Sequence, residues 1–173
     1  MNYNDYIRDI PDWPTEGVMF KDITPLLADN KAFKTAIEEM AAPYKDAGIT
    51  KVMGAEARGF LFGTAIAYVL DAGFVPARKP GKLPAKTISA DYELEYGTAT
   101  IEMHKDAITP GQKVIIVDDL IATGGTTEAI IKLVEELGGE VVKVLFLMEL
   151  EGLKGRDKIA GYDVESVIKY PGK

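Results

Sequence analysis

An acidic pair followed by a turn of small residues is the part of this sequence best suited to chemistry. Asp118 and Asp119 follow an apolar run at 114–117. Glycines and a helix N-terminus present free backbone N–H groups, which favour a bound phosphate. A side chain at Gly125 is therefore expected to collide with that phosphate. The turn, called the phosphate turn below, consists of Ala122, Thr123, Gly124, Gly125 and Thr126.

The two carboxylates indicate what else the ligand carries. Asp118 and Asp119 are not expected to bind the phosphate itself, because like charges repel. They can accept hydrogen bonds from the two hydroxyl groups of a ribose attached to that phosphate. The alternative is an acidic turn before an ordinary helix cap, which needs the acids, the small residues and the apolar run to coincide by chance.

A second group of candidates is cationic. The segment Arg78–Lys86 contains no acidic residue, although the chain has a net charge of −7. Arg78, Lys79 and Lys82 suit the neutralisation of a pyrophosphate group together with Mg²⁺. A solvated basic loop has the same composition, so the residues alone leave that alternative open.

A third candidate is the segment GAEARGFLFG at 54–63. It predicts a strand-to-helix turn that faces the same ligand edge, with Glu56, Ala57 and Arg58 at its centre. A plain turn with an exposed Glu-Arg pair is the alternative.

The elements that must position these residues alternate between strand and helix. Around the acidic pair we expect a strand at 113–117, a loop at 120–127, a helix at 128–137 and a strand at 141–148. Such a unit requires a parallel sheet with a right-handed crossover. The prediction is an α/β fold with a mostly parallel sheet flanked by helices, in which ligands bind beyond the carboxyl ends of the strands.

The rest of the chain supplies further elements. The proline-containing N-terminal stretch is expected to be mostly irregular, and the polar segment Arg78–Tyr96, which carries Pro80, Gly81 and Pro84, is expected to be a loop. The other expected elements are a helix at 31–44 after the cap Asp29-Asn30, a strand at 51–53, a helix at 59–71, and strands at 74–77 and 98–102.

The composition excludes several classes of protein. The 173-residue chain has no cysteine and one histidine, His104, so thiolate catalysis, disulfides and Cys- or His-rich zinc sites are impossible. Any metal must be held by oxygen ligands or by the substrate, as Mg²⁺ is. The net charge of −7 argues against a nucleic-acid partner, and no apolar run is long enough to span a membrane. With no secretory signal visible, we expect one soluble, cytoplasmic domain over residues 1–173.

Three segments resemble the type I phosphoribosyltransferase family. The segment VIIVDDLIATGGT at 114–126 resembles its motif for binding phosphoribosyl pyrophosphate (PRPP), and RKPGKLP at 78–84 matches its R-K-x-x-K-L-P pattern. The segment GAEARGF at 54–60 resembles its pyrophosphate loop. The resemblance implies the type I phosphoribosyltransferase fold, a homodimer, and Mg²⁺ held through PRPP and water.

The same resemblance implies roles for the candidates. PRPP would contact the phosphate turn, the acidic pair, the three cations of the basic segment, and the pair Glu56-Ala57, whose peptide bond would be cis. Arg58 would be a catalytic residue that reaches both the diphosphate and the base.

The N-terminal segment IRDIPDWPTEGVMFKDITPLL at 7–27 resembles the adenine-specific branch of this family. The resemblance implies that residues 1–27 form a hood over the base. Met19 and Lys21 would bind through backbone carbonyl and N–H groups, and a carbonyl acceptor suits a 6-amino purine better than a 6-oxo purine. The residues implied to contact adenine are Met19, Phe20, Lys21, Arg58 and Leu150.

The segment YELEYGTATIEMHKD at 92–106 resembles the mobile loop of the family. From the residues alone it is a strand pair flanking a long loop. The resemblance implies a flexible lid at 78–96 and a catalytic role for Glu95 in handling the proton of the base. Thr98 stands where many members have a lysine, and His104 is expected to have no catalytic role.

The implied reaction joins adenine to PRPP and gives AMP and pyrophosphate, a pentosyl transfer in purine salvage. One alternative is transfer to another base, such as xanthine. Another is a regulatory protein that binds PRPP without turnover, which usually carries an added DNA-binding domain.

Overall fold

A five-stranded parallel sheet with the strand order β4-β3-β7-β8-β9 forms the centre of the molecule. The structure is a computed structural model that describes residues 1–94 and 96–172. The strands are β1 (Arg8–Pro11), β2 (Met19–Asp22), β3 (Lys51–Ala55), β4 (Gly73–Ala77), β5 (Thr87–Leu94), β6 (Gly97–His104), β7 (Lys113–Ile121), β8 (Glu140–Leu150) and β9 (Val164–Tyr170). The helices are α1 (Thr24–Ala28), α2 (Asn30–Ala41), α3 (Arg58–Val69) and α4 (Gly125–Glu136), and short 3₁₀ helices occupy Tyr3–Tyr6, Ala42–Tyr44, Glu151–Leu153 and Gly155–Ile159.

Strand β7 is buried on both faces, as its continuous apolar run predicts. Ile115 and Val117 pack on one side of the sheet with α2 and α3, whereas Val114 and Ile116 pack on the other side with α4 and strand β6. The predicted α/β architecture with helices on both faces of a parallel sheet is confirmed. The strand runs to Ile121, so the expected loop is shorter and begins at Ala122.

Helix α2 begins where the cap predicts, since the Asp29 carboxylate accepts a hydrogen bond from the Ala32 N–H at 2.8 Å. It ends at Ala41, three residues earlier than expected, and a 3₁₀ turn covers Ala42–Tyr44. Pro43 has no N–H to continue the α-helical hydrogen bonding, which accounts for the difference.

The N-terminal arm is not irregular, which corrects the expectation from its prolines. Strands β1 and β2 form an antiparallel pair that runs from Arg8 opposite Asp22 to Pro11 opposite Met19. The residues that break strands lie at its turn: Pro14 follows a cis peptide bond and Gly17 has a φ of +86°. A hairpin whose loop spans residues 12–18 accounts for the residues that suggested an irregular chain.

The segment Arg78–Tyr96 also contains more structure than expected. Its second half is strand β5, which pairs with β6 along its full length, from Thr87 opposite His104 to Leu94 opposite Gly97. Apolar residues alternate along β5 at Ile88, Ala90 and Tyr92 and pack against the core. That alternation of period two is a strand signal, and the prolines of the segment all precede it.

None of the helices within residues 1–94 and 96–172 has the length and apolar character needed to cross a bilayer.

Candidate active site at the carboxyl edge of the sheet

A cavity of about 390 Å³, called the main cavity below because of its position, opens at the carboxyl ends of the neighbouring strands β3 and β7. From β3 the chain crosses through α3 to β4 on one side, and from β7 it crosses through α4 to β8 on the other side. The two loops therefore diverge here, which is the usual position of a ligand crevice in an open parallel sheet. The cavity is lined by Ala55, Glu56, Ala57, Arg58, Lys79, Tyr92, Ile101, Asp118, Asp119, Leu120 and Thr126.

Two helix N-termini without side-chain caps meet at this edge. Helix α3 follows Ala57 and helix α4 follows Gly124, and neither of these N-cap residues makes a side-chain capping bond. The Phe60 N–H donates to the Ala57 carbonyl at 3.2 Å. The other first-turn N–H groups of the two helices can donate to a ligand, and the helix dipoles favour anions at the same points. The site can hold two separate anionic groups, one on each side of the acidic pair.

The phosphate turn forms a second, smaller cavity of about 100 Å³ beside the main one. All five residues predicted for the turn line this cavity, together with Asp118 and Thr127. Gly124 has a φ of +85°, which L-residues with side chains rarely adopt. The sequence interpretation of the turn as a ready-made anion cradle at a helix N-terminus therefore fits the geometry.

The absence of a side chain at Gly125 also matters for the neighbouring strand. A Cβ atom at Gly125 would lie 3.3 Å from the carbonyl oxygen of Glu93 and 3.5 Å from the Tyr92 ring. The missing side chain therefore leaves room for strand β5, and the expected collision of a side chain at this position with the phosphate stays a prediction.

The acidic pair lies at the same edge as the two helix N-termini, with Asp118 half-buried and Asp119 buried. Asp119 is 4% exposed, and its N–H donates to Asp118 Oδ1 at 2.8 Å. Asp119 Oδ2 lies 2.7 Å from Arg58 Nε, but no donor in the described part of the chain is aligned to make a hydrogen bond with it. A buried carboxylate oxygen without a hydrogen bond needs a donor from elsewhere, such as a ligand hydroxyl.

Burial raises the pKa of Asp118 well above its usual range, and the adjacent Asp119 carboxylate raises it further, while Arg58 opposes both effects. Two adjacent carboxylates with one cation are poorly suited to bind another anion. They are suited to accept hydrogen bonds from neutral hydroxyl groups.

The predicted pyrophosphate loop, Glu56-Ala57-Arg58, joins β3 to α3 and contains the implied cis peptide between Glu56 and Ala57. Glu56 accepts hydrogen bonds from the Lys79 N–H at 2.7 Å and from Lys82 Nζ at 2.9 Å. Arg78 Nε lies 3.3 Å from the same carboxylate. Burial opposes ionisation of Glu56, but Lys82 and the Lys79 N–H outweigh it and hold the pKa below its ordinary value.

The three expected pyrophosphate cations thus divide into two groups. The side chain of Lys79 lines the main cavity, whereas Arg78 and Lys82 pair with Glu56. Because β3 and β4 are in register from Lys51 opposite Gly73 onward, the segments that follow them leave the sheet side by side. This neighbourhood gives the basic segment an acidic partner that its own composition lacks.

Arg58 is the residue that connects the base-binding candidates with the acidic pair. The guanidinium carbon of Arg58 lies 5.2 Å from the centre of the Phe20 ring, which also packs edge-on against Trp13. The side chain of Met19 is exposed, and that of Lys21 turns away to Asp9 at 2.7 Å. None of the candidates Met19, Phe20, Lys21 and Leu150 lines either cavity.

Tyr92 and Ile101 line the main cavity although the sequence assigned them no role. Both lie on the β5–β6 hairpin, and the apolar alternation along β5 is the signal that could have placed Tyr92. Glu95, the expected catalytic residue of that hairpin, lies outside the described residues. Thr98 pairs with Glu93 near the same end of the hairpin.

Within residues 1–94 and 96–172, no three carboxylate or imidazole side chains converge closely enough to hold a metal ion. Asp118 and Asp119 are two adjacent carboxylates at the main cavity. Their oxygen atoms fit a Mg²⁺ ion that is held by substrate and water, because they can accept hydrogen bonds from its water ligands.

The chain resembles known proteins along nearly its whole length. Residues 26–170 match the phosphoribosyl transferase domain family. Adenine phosphoribosyltransferase from Lachnoclostridium phytofermentans is 59% identical over 169 residues, which cover 98% of this chain and 97% of that protein.

Solved structures give the same result. The crystal structure of adenine phosphoribosyltransferase from Thermoanaerobacter pseudethanolicus is 56% identical, covers 96% of this chain and 97% of its own, and superposes with a TM-score of 0.93. The Saccharomyces cerevisiae enzyme, crystallised with an imino-altritol bisphosphate and adenine, is 40% identical over 95% of both chains, with a TM-score of 0.89. This chain therefore belongs to the adenine phosphoribosyltransferases, a branch of the phosphoribosyl transferase domain family.

Proposed function

We propose that this chain transfers the 5-phosphoribosyl group of PRPP to adenine at the edge shared by β3 and β7, giving AMP and pyrophosphate. The observation that carries the proposal is the pair of uncapped helix N-termini at the edge that also holds the half-buried Asp118 and the buried Asp119. PRPP has the matching order of groups: a phosphate, a ribose with two free hydroxyls, and a diphosphate.

The 5-phosphate occupies the phosphate turn, where the N–H groups of α4 and the hydroxyls of Thr123 and Thr126 point to one small cavity. The ribose hydroxyls donate to Asp118 and Asp119. This contact supplies the hydrogen bond that Asp119 Oδ2 lacks within the described residues.

The diphosphate lies at the N-terminus of α3, against the backbone of Glu56 and Ala57 and near the side chains of Arg58 and Lys79. The side chains of Arg78 and Lys82 are bound to Glu56, which itself lines the cavity. They contribute to diphosphate binding by sharing their charge between Glu56 and the ligand, so Glu56 holds the basic segment in position beforehand.

Adenine lies under the hood, the N-terminal residues 1–27. We propose that the backbone of Met19 and Lys21 reads its edge and that Phe20 and Leu150 form apolar walls. Arg58 links this side to the reaction centre, because it contacts both the Phe20 ring and the Asp119 carboxylate. A backbone carbonyl that accepts from the 6-amino group discriminates against a 6-oxo purine.

In the chemical step, the bond from the ribose anomeric carbon to pyrophosphate breaks and the bond to adenine N9 forms. The reacting carbon gains positive charge as the leaving group gains negative charge, so placement of the groups and charge stabilisation dominate catalysis. Arg58 and Lys79 stabilise the departing diphosphate, and Glu95 accepts the proton of the base. Mg²⁺, held through PRPP and water near Asp118 and Asp119, supplies further charge neutralisation of the leaving group.

Water must be excluded because it would hydrolyse PRPP. We propose that the segment 78–96 is a lid that closes over the cavity together with β6. Tyr92 already lines the cavity from the lid, so a small displacement of the hairpin is enough to change access.

The proposal includes a cytoplasmic homodimer. An outer face of α3 exposes Leu61 (43%) and Tyr68 (88%), seven residues apart and hence on one side of the helix, which suits burial against a second copy. Light scattering on the purified chain tests the dimer. The cysteine-free composition needs no oxidising compartment and is compatible with the cytoplasm, and fractionation of cells that express the tagged chain tests this location.

Pyrophosphate release tests the function directly. The purified chain is incubated with PRPP, Mg²⁺ and one of adenine, hypoxanthine, guanine or xanthine. Release with adenine alone supports the proposal. Release with another base in preference to adenine would show that the chain has a different base specificity. PRPP binding without pyrophosphate release with any base would indicate a regulatory binding protein.

A further inference from the structure

A part-buried ion pair outside both cavities joins the end of the sheet to the chain that follows it. Arg156 donates from Nε to Glu149 Oε1 at 2.8 Å and from Nη2 to Glu149 Oε2 at 2.7 Å. Ser166 donates to the same Oε2 at 2.7 Å, and Arg156 Nη1 donates to the Val164 carbonyl at 3.0 Å. The Glu149 side chain is 8% exposed and the Arg156 side chain is 36% exposed, so this is a bidentate pair with a buried carboxylate and a half-buried guanidinium.

One partner of the pair adjoins the phosphate turn through the sheet. Glu149 in β8 is in register with Ile121, the last residue of β7. The phosphate turn begins at the next residue, Ala122. Glu149 is therefore fixed relative to the point at which the chain leaves the sheet to form the turn.

The other partner adjoins the turn through backbone packing. Arg156 follows Gly155, where a Cβ atom would lie 2.5 Å from the carbonyl oxygen of Ala122. A Cβ atom on Gly124 would lie 2.4 Å from the carbonyl oxygen of Gly155. No side chain separates the two backbones, so a displacement of Gly155 is passed directly to the turn.

We propose that Glu149 and Arg156 are positioning residues that set the geometry of the phosphate turn. Three contacts connect the turn with this pair. The turn follows Ile121 in the chain, its backbone packs against Gly155, and Arg156 binds Glu149, which pairs with Ile121 in the sheet. This inference rests on the proposed function, which assigns the turn to the 5-phosphate. It gives a role to the segment after β8, for which no ligand contact is proposed.

The planar guanidinium is essential to this arrangement. Its two parallel hydrogen bonds fix the direction of the Arg156 side chain, whereas a lysine would keep the charge and lose the fork. The main-chain N–H groups of the turn must converge on one phosphate. A displacement of about 1 Å there costs on the order of 10-fold to 10²-fold in binding or rate.

The test compares two ligands that use opposite sides of the site. Calorimetry measures the Kd of ribose 5-phosphate, which needs the phosphate turn, and of pyrophosphate, which needs the N-terminus of α3. For Arg156→Lys and for Glu149→Gln we expect the Kd of ribose 5-phosphate to rise about 10-fold or more, while that of pyrophosphate stays within about 2-fold. In steady-state kinetics, KM for PRPP rises and KM for adenine does not.

Lys143→Met is the matched control. Lys143 lies on the same strand β8, its side chain is 12% exposed, and it pairs with the exposed Asp163 at 2.8 Å, so its loss also removes an ion pair with one poorly exposed partner. Its strand register places it opposite Ile115, far from the turn. This variant should bind both ligands like the wild type, whatever its effect on Tm.

Three results would overturn the inference: unchanged ribose 5-phosphate affinity in both folded variants, an equal loss of affinity for both ligands, or the same loss in Lys143→Met. If one variant does not fold, the other still decides, since Glu149→Gln retains the shape of the side chain. A wild-type protein that binds no ribose 5-phosphate would instead overturn the assignment of the turn, and this inference with it.

Discussion

The ammonium group of Lys21 lies 4.2 Å from the centre of the Tyr170 ring, and this contact joins the hood to the last strand of the sheet. Tyr170 is in register with Leu150, the proposed wall of the base site, and its hydroxyl donates to Asn4 Oδ1 at 2.8 Å. Lys21 also pairs with Asp9 on the neighbouring hood strand. The Lys21 side chain therefore anchors the hood, while its backbone is the part proposed to read adenine.

The first prediction concerns this anchor. Lys21→Ala and Tyr170→Leu should each raise KM for adenine about 3-fold to 10-fold, because a cation–π contact with a partly desolvated cation contributes about 1 kcal/mol. The preference for adenine over hypoxanthine should persist, since the backbone groups remain. Steady-state kinetics with both bases measure the two effects separately. A loss of the preference in Lys21→Ala, in a protein with the wild-type affinity for ribose 5-phosphate, would reject readout by the backbone.

The second prediction concerns the acidic pair. Asp118→Asn and Asp119→Asn should each lower kcat by about 10² or more, because a charge-assisted bond to ribose is weakened where positive charge develops. The loss in Asp119→Asn should be the larger one, because Asp119 also holds Arg58. Kinetics at saturating PRPP provide the measurement. Near-wild-type turnover in both variants would contradict this role and show that the pair has only a structural function.

The third prediction separates the two glycines of the phosphate turn. Gly124→Ala should weaken ribose 5-phosphate binding at least about 10-fold, because alanine is strained at a positive φ and would collide with the Gly155 backbone. Gly125→Ala should mainly displace the β5–β6 hairpin, since its Cβ meets Glu93 and Tyr92. Calorimetry of both variants tests the distinction, and an intact ribose 5-phosphate affinity in Gly124→Ala would contradict it.

The fourth prediction concerns the pH dependence of stability that the pair of Glu149 and Arg156 should cause. The hydrogen bond from Arg156 is the largest cause that holds the pKa of Glu149 below its ordinary value of 4.5, and burial opposes it. Because the folded-state pKa is the lower one, the ionised pair stabilises the fold fully above about pH 5 and progressively less as the pH falls through that folded-state value. On acidification below about pH 5, the Tm of Glu149→Gln should therefore fall less than the Tm of the wild type. Parallel melting curves for the two proteins would contradict this role.

Local sequence was sufficient for the elements that carry the phosphate turn. The continuous apolar run of β7 and the Gly- and Thr-rich turn after it are decided within about a dozen residues, so strand, turn and helix followed from pattern alone. Segments rich in proline were harder. Pro14 lies in the loop of a hairpin, and the prolines of the basic segment precede strand β5. A proline close to a strand therefore does not mean that the strand is absent.

The remaining surprises are contacts between segments distant in sequence. Glu56 holds Arg78 and Lys82 because parallel pairing of β3 and β4 brings together two loops more than 20 residues apart. Gly155 meets Gly124 by backbone packing across a similar distance along the chain. Such contacts depend on strand order and register, which no local pattern in one sequence encodes.

The choice of base is the most direct test of the account. We predict a kcat/KM for adenine at least about 10³ higher than for hypoxanthine or guanine, since opposing buried carbonyls typically cost about 4 kcal/mol. The measurement is kcat/KM for the three bases with saturating PRPP and Mg²⁺. A ratio of this size supports a hood whose backbone reads the 6-amino group. Comparable values for adenine and hypoxanthine would contradict it.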